Sequence, residues 1–149
     1  MPTTYTYRTD ARWTERKRGI VDAEGIPQTI NFAAPPEFGG EPGLWTPEHL
    51  LLAAVSTCYV ATLRAVAEAS QAEFHSLDLS VEGTIEKQEG GFRFTRILLR
   101  PVVTIEKEHD RERMGRLLEK AERVCLVSRS LACTIVLEPT ILVQEHAQT

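Results

Sequence analysis

A chain of 149 residues, 42% of them hydrophobic, is long enough to bury a core of its own, and a single domain over 1–149 is the default organisation. Charged residues make up 26% and the net charge is −4, so nothing in the balance asks for a nucleic-acid partner or an anionic membrane surface. No run of about 18 consecutive apolar residues is apparent, the N-terminal Met1-Pro2-Thr3-Thr4-Tyr5 has no signal-peptide core, and the expected setting is cytoplasmic, without a membrane partner.

Residues 4–33 read as short strands. Tyr5, Tyr7 and Trp13 are aromatic β-formers, and turns at Arg16-Lys17-Arg18-Gly19 and Glu24-Gly25-Ile26-Pro27 bracket Ile20-Val21, which predicts a meander of hairpins. The basic triplet 16–18 is either a solvated turn or an arginine facing an anion. From Ala34 to Leu44 three prolines and three glycines exclude a regular element, and a loop this long inside a compact chain is often functional.

Thr46-Pro47-Glu48 then opens a helix running to about Ser70. Thr46 is a good N-cap, Pro47 suits the first helical position, and Glu48 places a negative charge at the positive end of the helix dipole. The residues that follow are nearly all apolar or small, which predicts burial on most sides. Cys58 lies within it, with Ala54, Val55, Ala61 and Thr62 three and four residues away.

From His75 to Glu86, Leu77, Leu79, Val81 and Ile85 alternate with polar residues, the pattern of a half-buried strand. After a turn at 87–91, a second strand covers 92–105. Its apolar phase shifts from Phe92 and Phe94 to Ile97, Leu99, Val103 and Ile105, which predicts a bulge or bend, and Pro101 suggests an edge. Asp110 is the expected cap of a helix over about 111–125, with Met114, Leu117, Leu118, Ala121 and Cys125 as its apolar stripe. A bend at 126–130 leads to a last strand over 132–143, interrupted by Pro139. Helices and strands are segregated, an α+β arrangement with antiparallel sheets.

Three cysteines at wide spacing form neither a disulfide scaffold nor a zinc site. Cys133 reads as core. Cys58 and Cys125, each on the buried face of its own helix, are either small hydrophobes or a redox pair. A free thiol is only slightly ionised at neutral pH, so a reactive Cys58 needs help. It lies about 16 Å past Pro47, too deep for the dipole of its own helix to act. A cation is then required, and arginine keeps its charge when buried.

Thr46-Pro47-Glu48-His49-Leu50, the small apolar run to Cys58, and Ala121 through Leu131 around Cys125 resemble the two cysteine motifs of the OsmC/Ohr family, the osmotically inducible protein C and organic hydroperoxide resistance proteins. The order of elements is similar over nearly the whole chain. The resemblance implies an intertwined homodimer around two long central helices, with two sites at the interface, and a thiol peroxidase acting on hydroperoxides. It implies Cys58 as the peroxidatic cysteine, Cys125 as the resolving one, Glu48 as the motif glutamate, and Arg16 (or Arg18, two residues on) as the activating arginine. It also implies reduction by a small dithiol or a dihydrolipoyl protein, with no metal or organic cofactor. Apolar residues expected around the sulfur (Phe38, Leu51, Val55, Leu126) suit an organic hydroperoxide. The rival reading is a non-enzymatic member of the same family that binds an apolar ligand, with its cysteines as bystanders.

Overall fold

The computed structural model describes residues 2–144. The chain forms two compact units that meet in sequence at Leu51/Leu52.

In the first unit, β1 (Thr9–Glu15), β2 (Arg18–Ala23) and β3 (Ile26–Ala33) pair antiparallel in the order β1-β2-β3. This is the expected meander, although Tyr5 and Tyr7 precede β1. Gly25, in the second turn, has φ +82°, a conformation an L side chain resists. The proline- and glycine-rich segment contains one 3-10 turn, Pro36–Phe38. Backbone bonds anchor its ends, from Ala34 N–H to the Lys17 carbonyl and from Ala33 N–H to the Trp45 carbonyl, each 2.9 Å.

The long helix α1 spans Pro47–Ala69, close to its expected limits. Its burial departs from expectation: the buried residues are Val55, Tyr59, Leu63 and Ala67, one every fourth position, while Val60 keeps 40% of its surface and Ala61 and Ala65 are exposed. By length and composition α1 is also apolar enough to cross a bilayer, with a mean hydropathy of 1.7 in its best window, contrary to the expectation from consecutive residues. Ser56 and Thr57 interrupt the apolar run in sequence, but both hydroxyls donate back to the Ala53 carbonyl, at 3.0 and 2.8 Å. Their polarity is spent within the helix.

In the second unit, β4 (Ser76–Gln88) and β5 (Gly91–Ile105) form a long antiparallel hairpin. The register slips where Thr84 faces Arg96 and Ile85 faces Phe94, leaving Thr95 as the extra residue. That is the bulge the change of apolar phase required. At Gly83 an added Cβ would come within 2.6 Å of Phe94 and 2.8 Å of Leu52, so the strand keeps its inner face clear there.

β6 (Thr134–Leu137) and β7 (Thr140–Val143) both run parallel to β5 and continue one register, Arg96 against Thr134 and Val102 against Thr140. Pro101 is therefore not at an edge. It is buried in the middle strand, and continuing the register sets it opposite Pro139, in the gap between β6 and β7. Its missing N–H falls where the neighbouring strand is itself interrupted. Parallel pairing needs a crossover, and α2 (Arg111–Val124) with the short α3 (Leu126–Arg129) provides it. One β-α-β unit thus sits within the α+β arrangement.

The stripe Met114, Leu117, Leu118, Ala121 and Cys125 is buried as expected. Asp110 stands at the N-cap of α2 but makes no side-chain cap bond, because a 3-10 turn, Glu108–Asp110, leads directly into the helix. The core gathers Val55, Tyr59 and Leu63 from α1, Ile97, Leu99 and Val103 from β5, and Leu118 from α2, with Cys133 packed partly buried against it. The Tyr59 hydroxyl donates to the Leu118 carbonyl at 2.9 Å. Burial, with Glu122 and Cys125 nearby, pushes the Tyr59 phenol well above its ordinary value, so it remains a donor.

Candidate active site

Cys58 lies one turn beyond Ala54 on α1, partly open to solvent. Cys125 closes α2 with an extended backbone (φ −61°, ψ 116°) and is fully buried. The fold of the second unit brings these thiols, 67 residues apart in sequence, near enough to shift each other's ionisation. Both are free.

Their environments push them in opposite directions. Burial alone would raise the Cys58 thiol. The Val127 amide, the Cys125 thiol, the Thr62 hydroxyl and the Leu126 amide together outweigh that and bring it below its ordinary value. The Thr62 Oγ1 is 3.9 Å from the sulfur. Cys125 is raised, first by its burial and then by the neighbouring Cys58 sulfur. The Ser128 amide and hydroxyl oppose part of that rise, the hydroxyl from beyond hydrogen-bonding geometry, since its buried Oγ has no partner among the described residues. The Cys58 sulfur is therefore the easier of the two to ionise to the nucleophilic thiolate.

The support for the Cys58 thiolate was only partly legible. Thr62 stood out only as a small neighbour at i+4, not as a hydroxyl serving the sulfur. The Leu126 and Val127 amides were not legible, because they become donors through the sharp exit from α2 at Cys125, which aims the next turn of backbone at the sulfur. Within this unit backbone and hydroxyl dipoles lower the Cys58 thiol, an effect the sequence assigned to a cation alone.

The arginines belong to the first unit. Arg16 occupies the β1–β2 turn with φ +49°, its carbonyl accepting from Trp13 Nε1 at 2.7 Å. Its guanidinium is 3.4 Å from Glu41 Oε1, and that of Arg18 is 3.2 Å from Glu41 Oε2 and 3.8 Å from Glu15. The side chain of Arg16 is 79% exposed and that of Arg18 32%. Lys17, between them, donates to the Phe38 carbonyl at 3.0 Å. Glu41, the residue that gathers both arginines, was missed in the sequence. Its signal was its place between Gly40 and Pro42, as one of the two acids of the 34–44 loop, with Glu37. Glu48 lies in the first turn of α1 with Oε1 buried and unpartnered among the described residues. Of the apolar residues expected near the sulfur, Leu126 is 70% exposed and Val55 is in the core.

Comparison with known proteins gives a consistent answer. A sequence profile described as OsmC-like protein matches residues 40–140. The uncharacterized protein YmaD of Bacillus subtilis (strain 168) is 30% identical over 132 residues, 86% of this chain and 87% of its own. Among solved structures, an OsmC-like protein of unknown function from Vibrio cholerae has a TM-score of 0.81 at 17% identity, covering 91% of this chain and 99% of that one. An organic hydroperoxide resistance protein from Elizabethkingia anophelis, with thiocyanate bound, has a TM-score of 0.75 at 24% identity, covering 95% and 99%. OhrB of Bacillus subtilis, also an organic hydroperoxide resistance protein, has a TM-score of 0.67 at 20% identity, covering 92% and 98%. These structural likenesses establish a shared fold.

Proposed function

The chain belongs to the OsmC-like protein family, and from that premise we propose that it is a thiol-dependent peroxidase that reduces organic hydroperoxides. One observation carries the reading. Two cysteines from separate elements lie together, the thiol of the more open one lowered and that of the buried one raised.

The chemistry follows from that polarity. The Cys58 thiolate attacks the terminal oxygen of the hydroperoxide. The O–O bond breaks, the alkoxide leaves and takes a proton from solvent to become an alcohol, and Cys58 becomes a sulfenic acid. Cys125 then attacks the Cys58 sulfur. The S–O bond breaks, the hydroxide leaves with the Cys125 proton as water, and a Cys58–Cys125 disulfide forms. A small dithiol or a dihydrolipoyl protein supplies two electrons and two protons to restore both thiols.

The same reading makes Arg16 or Arg18 the cation that steadies the thiolate and Glu48 the carboxylate that holds it. On an unbroken helix, ten residues put Glu48 about 15 Å along the axis from Cys58 and on a different face. The Glu48 that serves a given Cys58 therefore comes from a second copy of the chain, which makes the working form a homodimer. The exposed apolar side of α1 supports that assignment.

The test mixes reduced protein with cumene hydroperoxide and dithiothreitol and follows peroxide loss. Cys58→Ser abolishes the reaction. Cys125→Ser, assayed without dithiothreitol, allows one turnover and accumulates sulfenic acid, trapped by dimedone. Equal slow loss in the parent and both variants sinks the enzyme reading.

A further inference from the structure

We propose that His49 is a positioning residue that holds the first turn of α1 as half of a capping box, and that it does so only as the neutral imidazole protonated at Nε2.

In an ordinary capping box, a Ser or Thr at the N-cap accepts from the amide three residues on, and a Glu or Gln there accepts from the amide of the cap residue. Here the cap is Thr46 and the third residue is a histidine. His49 N–H donates to Thr46 Oγ1 at 3.1 Å, and Thr46 N–H donates to His49 Nδ1 at 3.2 Å. The Thr46 carbonyl accepts the first helical bond, from Leu50 N–H at 2.9 Å.

These bonds fix the proton. A backbone N–H only donates, so Nδ1 must present its lone pair and the ring hydrogen sits on Nε2. Thr46 Oγ1, 2.8 Å from Nδ1, already accepts from His49 N–H and so turns its own hydrogen toward the ring. The Trp45 ring meets the imidazole edge-on, at 6.1 Å between centroids and 87° between planes, holding the ring plane in which Nδ1 points back to the cap.

A glutamate or glutamine in this place would accept throughout the neutral range. An imidazole accepts only while Nδ1 is bare. Protonation turns the acceptor into a donor facing the Thr46 N–H and brings positive charge to the positive end of the helix dipole. Thr46 and Trp45, which face the ring from the preceding loop, carry no charge to offset this. Glu48 is the acidic group of the same turn. Its backbone lies between the two capping residues, so the order of Glu48 follows the box. The bearing on peroxide reduction rests on the role proposed above for Glu48; the tautomer and the cap do not.

Two measurements on the full chain test this. Long-range 1H–15N NMR at pH 8 is expected to give a bare Nδ1 and a protonated Nε2 for His49. The opposite tautomer, or an even mixture, overturns the proposal. Hydrogen exchange at the Thr46 amide, corrected for intrinsic rate, is then compared at pH 8 and pH 5. The parent is expected to lose protection by roughly tenfold on acidification. His49→Gln, which accepts but does not titrate, keeps its protection at both values, and His49→Ala lacks it at both. A parent no better protected than His49→Ala at pH 8, or a His49→Gln variant that loses protection as the parent does, overturns it. Neither readout needs turnover. An inactive protein with the expected tautomer counts only against the peroxidase reading, and an active one with the wrong tautomer only against this one.

Discussion

Cys58 and Cys125 are the same side chain in two settings, and the difference predicts a pH dependence. Because the Cys58 thiol is lowered, its thiolate persists on the acid side of the ordinary range and is lost only as pH falls through that lower value. Site-resolved iodoacetamide labelling should place the Cys58 inflection below the ordinary value of a free thiol. Thr62→Val, which removes the hydroxyl 3.9 Å away at nearly constant volume, should move it up. Whichever of Arg16→Ala and Arg18→Ala raises it further identifies the activating arginine, and no effect from either removes both from the site. The helices that carry the two cysteines were legible in the sequence because an apolar face and a cap are local properties. Glu41 was not, since its ion pairs with Arg16 and Arg18 join positions 25 and 23 residues away. The bare Nδ1 of His49 was not either, since a tautomer is set by a bond and not by a residue type.

The elements differ in how much they disclosed. β4 showed its inner face by strict alternation, and α2 showed its buried stripe by periodicity, because each buries one face and leaves the other toward solvent. The parallel course of β6 and β7 was hidden, as strand direction is decided by the crossover through α2 and not by the strand's own residues. Pro101 misled for the same reason: its tolerance in a middle strand depends on the gap that Pro139 leaves in another strand. α1 is joined to α2 by the Tyr59 hydroxyl on the Leu118 carbonyl, in a fully buried setting. Tyr59→Phe should cost about 1 kcal/mol in urea unfolding, with the peroxide reaction retained. A loss within error would mean that packing, not this bond, sets the register of the two helices.

For the molecule as a whole, α1 poses the main question. A helix this apolar with only every fourth residue buried leaves a face that water penalises, at roughly 25 cal/mol per Å² of apolar surface. The proposed homodimer covers it. Sedimentation equilibrium should give twice the chain mass of 16.7 kDa, and Val60→Glu on the exposed face should shift the protein toward monomer and lower peroxidase activity with it. A monomeric parent would take away the second copy on which the role of Glu48 depends.

The pairing of Cys58 with Cys125 has a further consequence, in chain entropy. A disulfide between them would close a loop of 67 residues, and the entropy removed from the unfolded chain by such a loop corresponds to about 4 kcal/mol at 25 °C. Under the proposed cycle, each turnover would therefore alternate the protein between a looser reduced form and a more firmly tied oxidised one. The reductant must supply electrons and also offset the stability that the closed loop confers, so the fold itself favours the oxidised state. A cell that ran short of reductant would leave this protein in its sturdiest form, protected from unfolding while it waited.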